Sequence, residues 1–441
     1  MVTLSSRSNA LKAIEGDVMD ITYGDDEFLK HLKSLTGDIG RISGGRRGQP
    51  YYYARPVRTK VGDNAGVIAD GGSFGVYDAG AADLIQYPCV NLASMAYLSN
   101  MARECGALKG SDGMDSETDE VEDLLIDFAL KAKGTALGQA KGWYTTVKTG
   151  SSTTSIFVYD PDLFTVGTRW NLYGVSSDTW TKDTGVGVSG LLTVADRNII
   201  TGEITWTVNS GAITAGYYLV PAGQYGLRMN GAGDILNNNA TITVNTNYIV
   251  RRALTTIGGL SRATYPGLKS TIVQLGNGTA TDITETKLFG WIAAMAADMG
   301  KKTSATTMFC HPFTLVSIWN LISKIRTAKV SDAIKLGAGG EATIEFPLMK
   351  GMATISGVLG LKKYCIDAYD FTDKKQSAMR TVVAGHFLDF GGENGIWKYM
   401  GGESAAHAWA AFYDTIVSWP MNPRMCSGLT DMQLPTEYQI A

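Results

Sequence analysis

The sequence predicts an α+β fold that carries an all-β insertion. Three observations lead there. An amphipathic helix pattern fills 111–140, acidic where it starts and basic where it ends. Short runs rich in Thr, Val, Trp and Tyr, with turn signals every eight to twelve residues, fill 141–225. Beyond 280, buried-strand patterns alternate with two amphipathic helices.

Residues 1–40 are polar, with short helical stretches such as DDEFLKHLKSL at 25–35, and read as an arm with little core of its own. The stretch 41–85 follows. From Arg41 to Gly62 it holds six cations (Arg41, Arg46, Arg47, Arg55, Arg58 and Lys60) and no acid, together with the run Tyr51, Tyr52 and Tyr53. YYYARPVRTKV and ADLIQYPCVNLASMAYL (82–98) read as two strands, and NAG and DGG between them as turns. Arms of roughly twenty residues would reach about 65 Å at the rise of an extended strand. A two-stranded ribbon is marginal by itself in water, so this one has to lie on something else.

In the helix, Val121, Leu124, Leu125, Phe128 and Ala132 form one stripe at helical spacing. Ser116 suits the N-cap. Asp115, Glu117, Asp119, Glu120, Glu122 and Asp123 crowd the first turns, and Lys131 and Lys133 the last, the order a helix dipole favours. The β-rich run that follows reads as a barrel or small sandwich. Helices are expected over TETKLFGWIAAMAADMG (284–300) and FTLVSIWNLISKI (313–325), with the buried strand TTMFCHP (306–312) between them. Further strands are expected at 353–358, 362–371 and 379–392, and WKYMGGESAAHAWAAFYDTIVSWP (397–420) reads as a long closing strand.

The totals exclude several classes. A chain of 441 residues with 18% charged residues and net charge −3 is an ordered protein without strong global attraction to nucleic acid or anionic membrane. The five Cys are widely spaced and odd in number, which fits reduced thiols rather than a secretory disulfide framework. The N-terminus has no continuous apolar signal-peptide core, and no run approaches the ~18 apolar residues of a membrane helix. The expectation is a soluble chain made in a cytoplasm, with no membrane partner. The four His show no metal-ligand spacing; Cys310 and His311 are neighbours, and on a strand neighbours point to opposite faces. No nucleophile elbow, P-loop or dinucleotide fingerprint is present. GAGGEA at 337–342 reads as a loop rather than a phosphate cradle, and the carboxylates at 115–127 as a partner-facing helix surface rather than paired catalytic acids. No catalytic, cofactor-binding or metal-ligating residue is assigned.

The order of these elements resembles the major capsid protein of tailed bacteriophages, the Hong Kong ninety-seven type fold. PVRTKVGDNAGVIADGGSFGVYDAGAADLIQYPCVNLASMAYLS (56–99) is similar to the extended loop of that family, and 115–134 to its spine helix. TTMFCHPFTLVSIWNLISK (306–324) resembles the strand–proline–helix step of the axial domain, and VLGLKKYCIDAYDF (358–371) the strand after it. The resemblance implies an N-terminal arm (1–40), an extended loop hairpin (41–85), a peripheral-domain strand and spine helix (86–149), a β-rich insertion (150–225), a continuation of the peripheral domain (226–281), an axial domain (282–390), and a closing peripheral strand with the C-terminal tail (391–441). The insertion departs from the simplest members.

A family member would assemble with itself into hexamers and pentamers of an icosahedral virion shell around double-stranded DNA held by non-specific contact. It would be made in the host bacterial cytoplasm, with portal, scaffolding and decoration proteins as further partners. Lys60 is the only Lys of the hairpin and has no assignable Asn partner, so no crosslink is expected. The expected inter-subunit contact sets Arg46, Arg47, Tyr51, Tyr52, Tyr53, Arg55, Arg58 and Lys60 against Glu117, Asp119, Glu120 and Asp123 of a neighbour. The alternative is a β-rich tail-fibre or carbohydrate-binding virion protein, motivated by Trp170, Trp180 and Trp206; an enzyme comes third.

Overall fold

The computed structural model describes residues 28, 42–43, 52–60, 81–99, 120–121, 124, 128, 132–139, 141–149, 154–176, 179–207, 211–226, 231–245, 248–299, 306–325, 334–336, 342–348, 351–370, 380–387, 397–400, 408–418 and 423–435. Every structural statement concerns these residues.

The chain is mixed α and β, with strands dominating. The hairpin sheet is β1 (Ile42–Ser43), β2 (Tyr52–Lys60) and β3 (Ala81–Pro88), in that order and antiparallel. The return run, expected as one strand over 82–98, is two. β3 pairs with β2, and after Cys89 β4 (Val90–Ser99) leaves the hairpin to pair along its whole length with a strand over 300 residues later, β24 (Ala408–Ser418). A chain that passes from one sheet to another does so at a bend or bulge, and here the change of partner falls at Cys89. The residues between Lys60 and Ala81, which would carry the rest of the hairpin arms, lie outside the described set.

Helix is described at 120–121, 124, 128 and 132–137, here α1. Val121, Leu124, Phe128 and Ala132 are all buried, as their spacing demands. They share a core with Phe28, Ile85 and Tyr87 of the hairpin base, Leu92, Ala96 and Leu98 of β4, and Ala411 of β24.

A barrel follows. β5 (Thr145–Thr149), β6 (Ser155–Val158), β7 (Arg169–Ser176), β8 (Thr179–Lys182), β9 (Leu192–Arg197), β10 (Glu203–Trp206) and β11 (Tyr218–Pro221) pair antiparallel. The ladders β5–β6, β6–β10, β10–β9, β9–β7, β7–β11 and β11–β5 close a ring, with β8 extending the edge of β7 beyond it. Closure removes the strand edges. The interior is filled by side chains, as a small barrel requires: Phe164 stacks on Trp170 at 4.1 Å between ring centres, and Tyr144, Ile156, Leu172, Ile204 and Trp206 close around them.

After a helical turn at Ala232–Ile235 come two short antiparallel pairs: β12 (Ile242–Val244) with β13 (Tyr248–Arg251), and β14 (Thr256–Ile257) with β15 (Leu260–Ser261). A seven-stranded mixed sheet completes the second half. Its order is β16 (Thr271–Gln274), β25 (Cys426–Thr430), β21 (Cys365–Asp370), β17 (Thr306–Cys310), β20 (Gly351–Gly357), β19 (Ala342–Leu348) and β18 (Ile334–Leu336). Two helices cover one face, α2 (Glu285–Met299) and α3 (Pro312–Ile325). The side-chain period of two sorts the central strands. Met308, Cys310, Ile366 and Ala368 join Trp291, Ile292 and Ile318 of the helices. Phe309 and Tyr369, one residue out of step, point the other way into the core under α1. The sheet is therefore buried on both faces.

The long closing strand expected over 397–420 is also two: β23 (Trp397–Tyr399) folds back on β24, which also carries β22 (Arg380–Phe387). Among the described residues no helix is long and apolar enough to cross a membrane.

Candidate functional site

The residues expected at a subunit contact stand on two elements. Arg55, Arg58 and Lys60 lie on β2, opposite Ile85, Ala82 and Ala81 in the ladder. Tyr52 is opposite Pro88 and half-buried, and Tyr53 is opposite Tyr87. Glu120, half-buried, is the first described residue of α1. Arg46, Arg47, Tyr51, Glu117, Asp119 and Asp123 lie outside the described residues. The base of the hairpin is anchored within the chain. Gln86 donates its amide to the Gly258 carbonyl at 3.0 Å, and a hydrogen bond with Asp83 raises the Tyr265 phenol above its usual range. Nearby, β4 alternates strictly between buried and exposed positions. Leu92, Ala96 and Leu98 point into the core, while Met95 and Tyr97 stand 53% and 51% exposed on the other face. Leu84 of β3 is 50% exposed.

A second constellation joins the barrel to the rest of the chain. The turn Asp160-Pro161-Asp162 leaves β6 and presents two buried carboxylates. Asp160 accepts from the Thr145 hydroxyl at 3.1 Å, the Tyr248 hydroxyl at 2.7 Å and the Lys362 ammonium at 2.9 Å. Lys362 also donates to the Tyr144 carbonyl, and its ammonium lies 4.9 Å from the ring centres of both Trp143 and Tyr144. Asp162 meets Nε2 of the buried His311 at 3.0 Å. The other ring nitrogen of His311 accepts the Phe313 amide at 3.1 Å, so the imidazole caps the start of α3 while Nε2–H donates to Asp162. Burial drives the Asp162 carboxyl up, but the His311 ring, by charge and hydrogen bond, and the Lys363 charge outweigh it and leave the carboxyl below its usual range. Burial pushes the Lys363 ammonium down, with Asp160 and Asp162 opposing. Its Nζ and Asp162 Oδ1 are buried without a hydrogen-bond partner.

The sequence scarcely marks this junction, because its members are up to 203 residues apart. A faint signal exists: charged pairs sit inside apolar runs, in IFVYDPDLF (156–164) and GLKKYC (360–365). Charges in such company are buried only if partnered. His311, set aside as a metal ligand, is a helix cap and the partner of a carboxylate. Among the described residues no group of three or more His, Cys, Asp or Glu could hold a metal ion.

A hairpin sheet feeding a long strand, that strand pairing with the last long strand of the chain, a buried helix beneath, and a mixed sheet flanked by two helices together define the fold class of phage capsid shells. The capsid asymmetric unit of Cyanophage A-1(L) has this fold, with a TM-score of 0.51 over 92% of this chain and 93% of that one, at 7% identity. The capsid of the native GTA particle (TM-score 0.42, 11% identity, 91% and 90% covered) and the capsid of Myoviridae Phage XM1 (TM-score 0.41, 10% identity, 90% of each chain) are also similar. No family model and no curated protein matches the chain.

Proposed function

We propose that this chain is a capsid shell subunit without enzymatic activity, assembling with copies of itself into the hexamers and pentamers of an icosahedral head that encloses double-stranded DNA. The observation that carries this reading is the likeness to the Cyanophage A-1(L) capsid chain along nearly the whole length of both. The net charge of −3 suits a wall that neither traps nor strongly repels packaged DNA, and contact with the duplex is to phosphates, without base readout. Portal, scaffolding and decoration proteins are the further partners, and the virion is the final location.

In the shell, the hairpin lies across a neighbouring subunit, with its cations toward the acidic start of that neighbour's α1. Charge complementarity motivates the pairing: six cations without an acid in one element, and a dense acid cluster in another. One exposed pair contributes only ~0–1 kcal/mol, so specificity comes from repetition around a closed ring. The test reverses Arg55 and Arg58 to Glu. Shell assembly, counted by sedimentation, should be blocked while circular dichroism stays unchanged. Adding Glu120→Arg and Asp123→Arg should restore part of it. Normal assembly of the double Arg variant, or no rescue by the acid-side changes, removes the pairing; absence of closed shells from wild-type protein under any assembly condition removes the capsid reading.

The carbohydrate-binding alternative has less to support it, since two of its three Trp residues lie in the barrel core. Tyr225 stacks on Tyr173 at 4.5 Å and has the Lys141 ammonium 5.6 Å from its ring centre; Trp180 packs against Tyr218 at 4.8 Å with the Arg252 guanidinium 5.5 Å away. Trp170 and Trp206 are buried in the barrel core, while Trp180 and Tyr225 stay half-buried and pack against rings and cations of the chain.

A further inference from the structure

We propose that the Asp160-Pro161-Asp162 turn is an acid-releasable clamp that sets the pose of the barrel on the rest of the chain. The barrel has a core of its own, built wholly from residues 144–219, while the sheet under α2 and α3 has another. Buried ionic contacts cross between them at the clamp, beside the packing of Tyr159 on Tyr248 at 4.7 Å between ring centres. Asp160 is held by Thr145 of β5, Tyr248 of β13 and Lys362 of the loop before β21. Asp162 faces His311 before α3, the Lys363 charge, the Gly360 amide and the Tyr144 phenol, and its own carbonyl accepts from Arg197 of β9. A joint made by apolar burial loosens gradually. A joint made by buried charge fails abruptly, because removing one partner strands the other without water to replace it.

Asp162 is the releasing group. His311 Nδ1 lies 3.1 Å from the Phe313 amide nitrogen and Nε2 3.0 Å from Asp162, which supplies the negative charge at that contact. A proton on Asp162 removes a charge that faces both His311 and the Lys363 ammonium, which makes no hydrogen bond and keeps only the Asp160 charge and the Phe313 ring, 5.1 Å away. A carboxyl held below its unfolded value contributes stability that is present above the ordinary range, near pH 4, and is lost as pH falls through the lowered value. Release therefore comes below about pH 4, and the barrel, whose interior is apolar, keeps its own hydrogen bonds when it happens.

Hydrogen exchange on the full-length chain, corrected for intrinsic rates, tests this from pH 7 downward through the carboxylate range. Amides at 160–164, 311–315 and 360–364 should lose protection by ~tenfold or more, the scale of one proton's linkage, while β5, β6, β9 and β10 keep theirs. Asp162→Asn keeps an acceptor for His311 but no charge. It should lower protection of the same segments already at pH 7 and flatten their pH response, with the barrel strands again unchanged. The clamp is overturned if the segments lose no protection at any pH below 4 at which the barrel strands keep theirs, if the barrel strands lose protection in step with them, or if Asp162→Asn matches the wild-type chain at pH 7.

Discussion

Arg251 and Asp367 are paired 116 residues apart in sequence, both almost wholly buried. Arg251 also donates to the Leu236 carbonyl at 3.3 Å, and Tyr369 donates to the other Asp367 oxygen at 3.4 Å. Burial drives the Asp367 carboxyl up, and the Arg251 charge pulls it back without fully cancelling the rise. Breaking such a pair from one side costs about 3–5 kcal/mol, whereas replacing both partners by apolar groups is often neutral. Asp367→Ala should therefore lower the thermal transition of the full-length chain sharply, and the double change Arg251→Met with Asp367→Leu should recover most of the loss. A double variant no better than the single one would show that the pair does more than satisfy itself. Gly258 makes a different residue-scale point. It sits at φ +54°, and a Cβ there would run into the Ile85 side chain. Gly258→Ala should push β3 away and speed exchange of the Gln86 amide, which donates to the Gly258 carbonyl; an unchanged Gln86 amide would mean the loop yields instead.

Elements differ in how far the sequence shows them. The α1 stripe is legible because Val121, Leu124, Phe128 and Ala132 need only their own spacing to declare a buried face. α2 and α3 are legible for the same reason. The break at Cys89 is not, since the choice between β2 and β24 as partner is made by residues up to hundreds of positions away. The clamp is hidden for that reason too: Asp160, Asp162, His311 and Lys362 carry meaning only once folding brings them together. β5 is intermediate. TTVKT at 145–149 looks like any short strand, yet it closes the ring between β6 and β11. A fragment of residues 150–225 lacks it and leaves two strand edges open over an apolar interior, whereas one of 139–226 retains the whole ring. The longer fragment should give a dispersed amide NMR spectrum and the shorter a collapsed one. Equal dispersion in both would mean that β6 and β11 can close the barrel without β5.

At the scale of the whole molecule, the proposed shell role requires surfaces that stay apart in the monomer and meet in the ring. Two kinds are present. The hairpin and the start of α1 carry opposite charge, while Met95, Tyr97 and Leu84 leave apolar area half exposed close to the hairpin. The two respond to salt in opposite directions. Screening shortens from a Debye length of about 10 Å at 0.1 M to about 3 Å at 1 M, which weakens exposed ion pairs. Sulfate and phosphate strengthen apolar burial. If the cation-to-acid contact sets which subunits meet, the critical concentration for assembly should rise as sodium chloride goes from 0.1 to 1 M, and the Arg55→Glu, Arg58→Glu variant should show no such slope. If assembly instead improves with salt, and improves more in sulfate than in chloride, the apolar strip on β4 carries the association and the charges serve only to orient it. Light scattering of the purified subunit across the two salts separates these outcomes, and the charge pairing proposed for the hairpin stands only with the first.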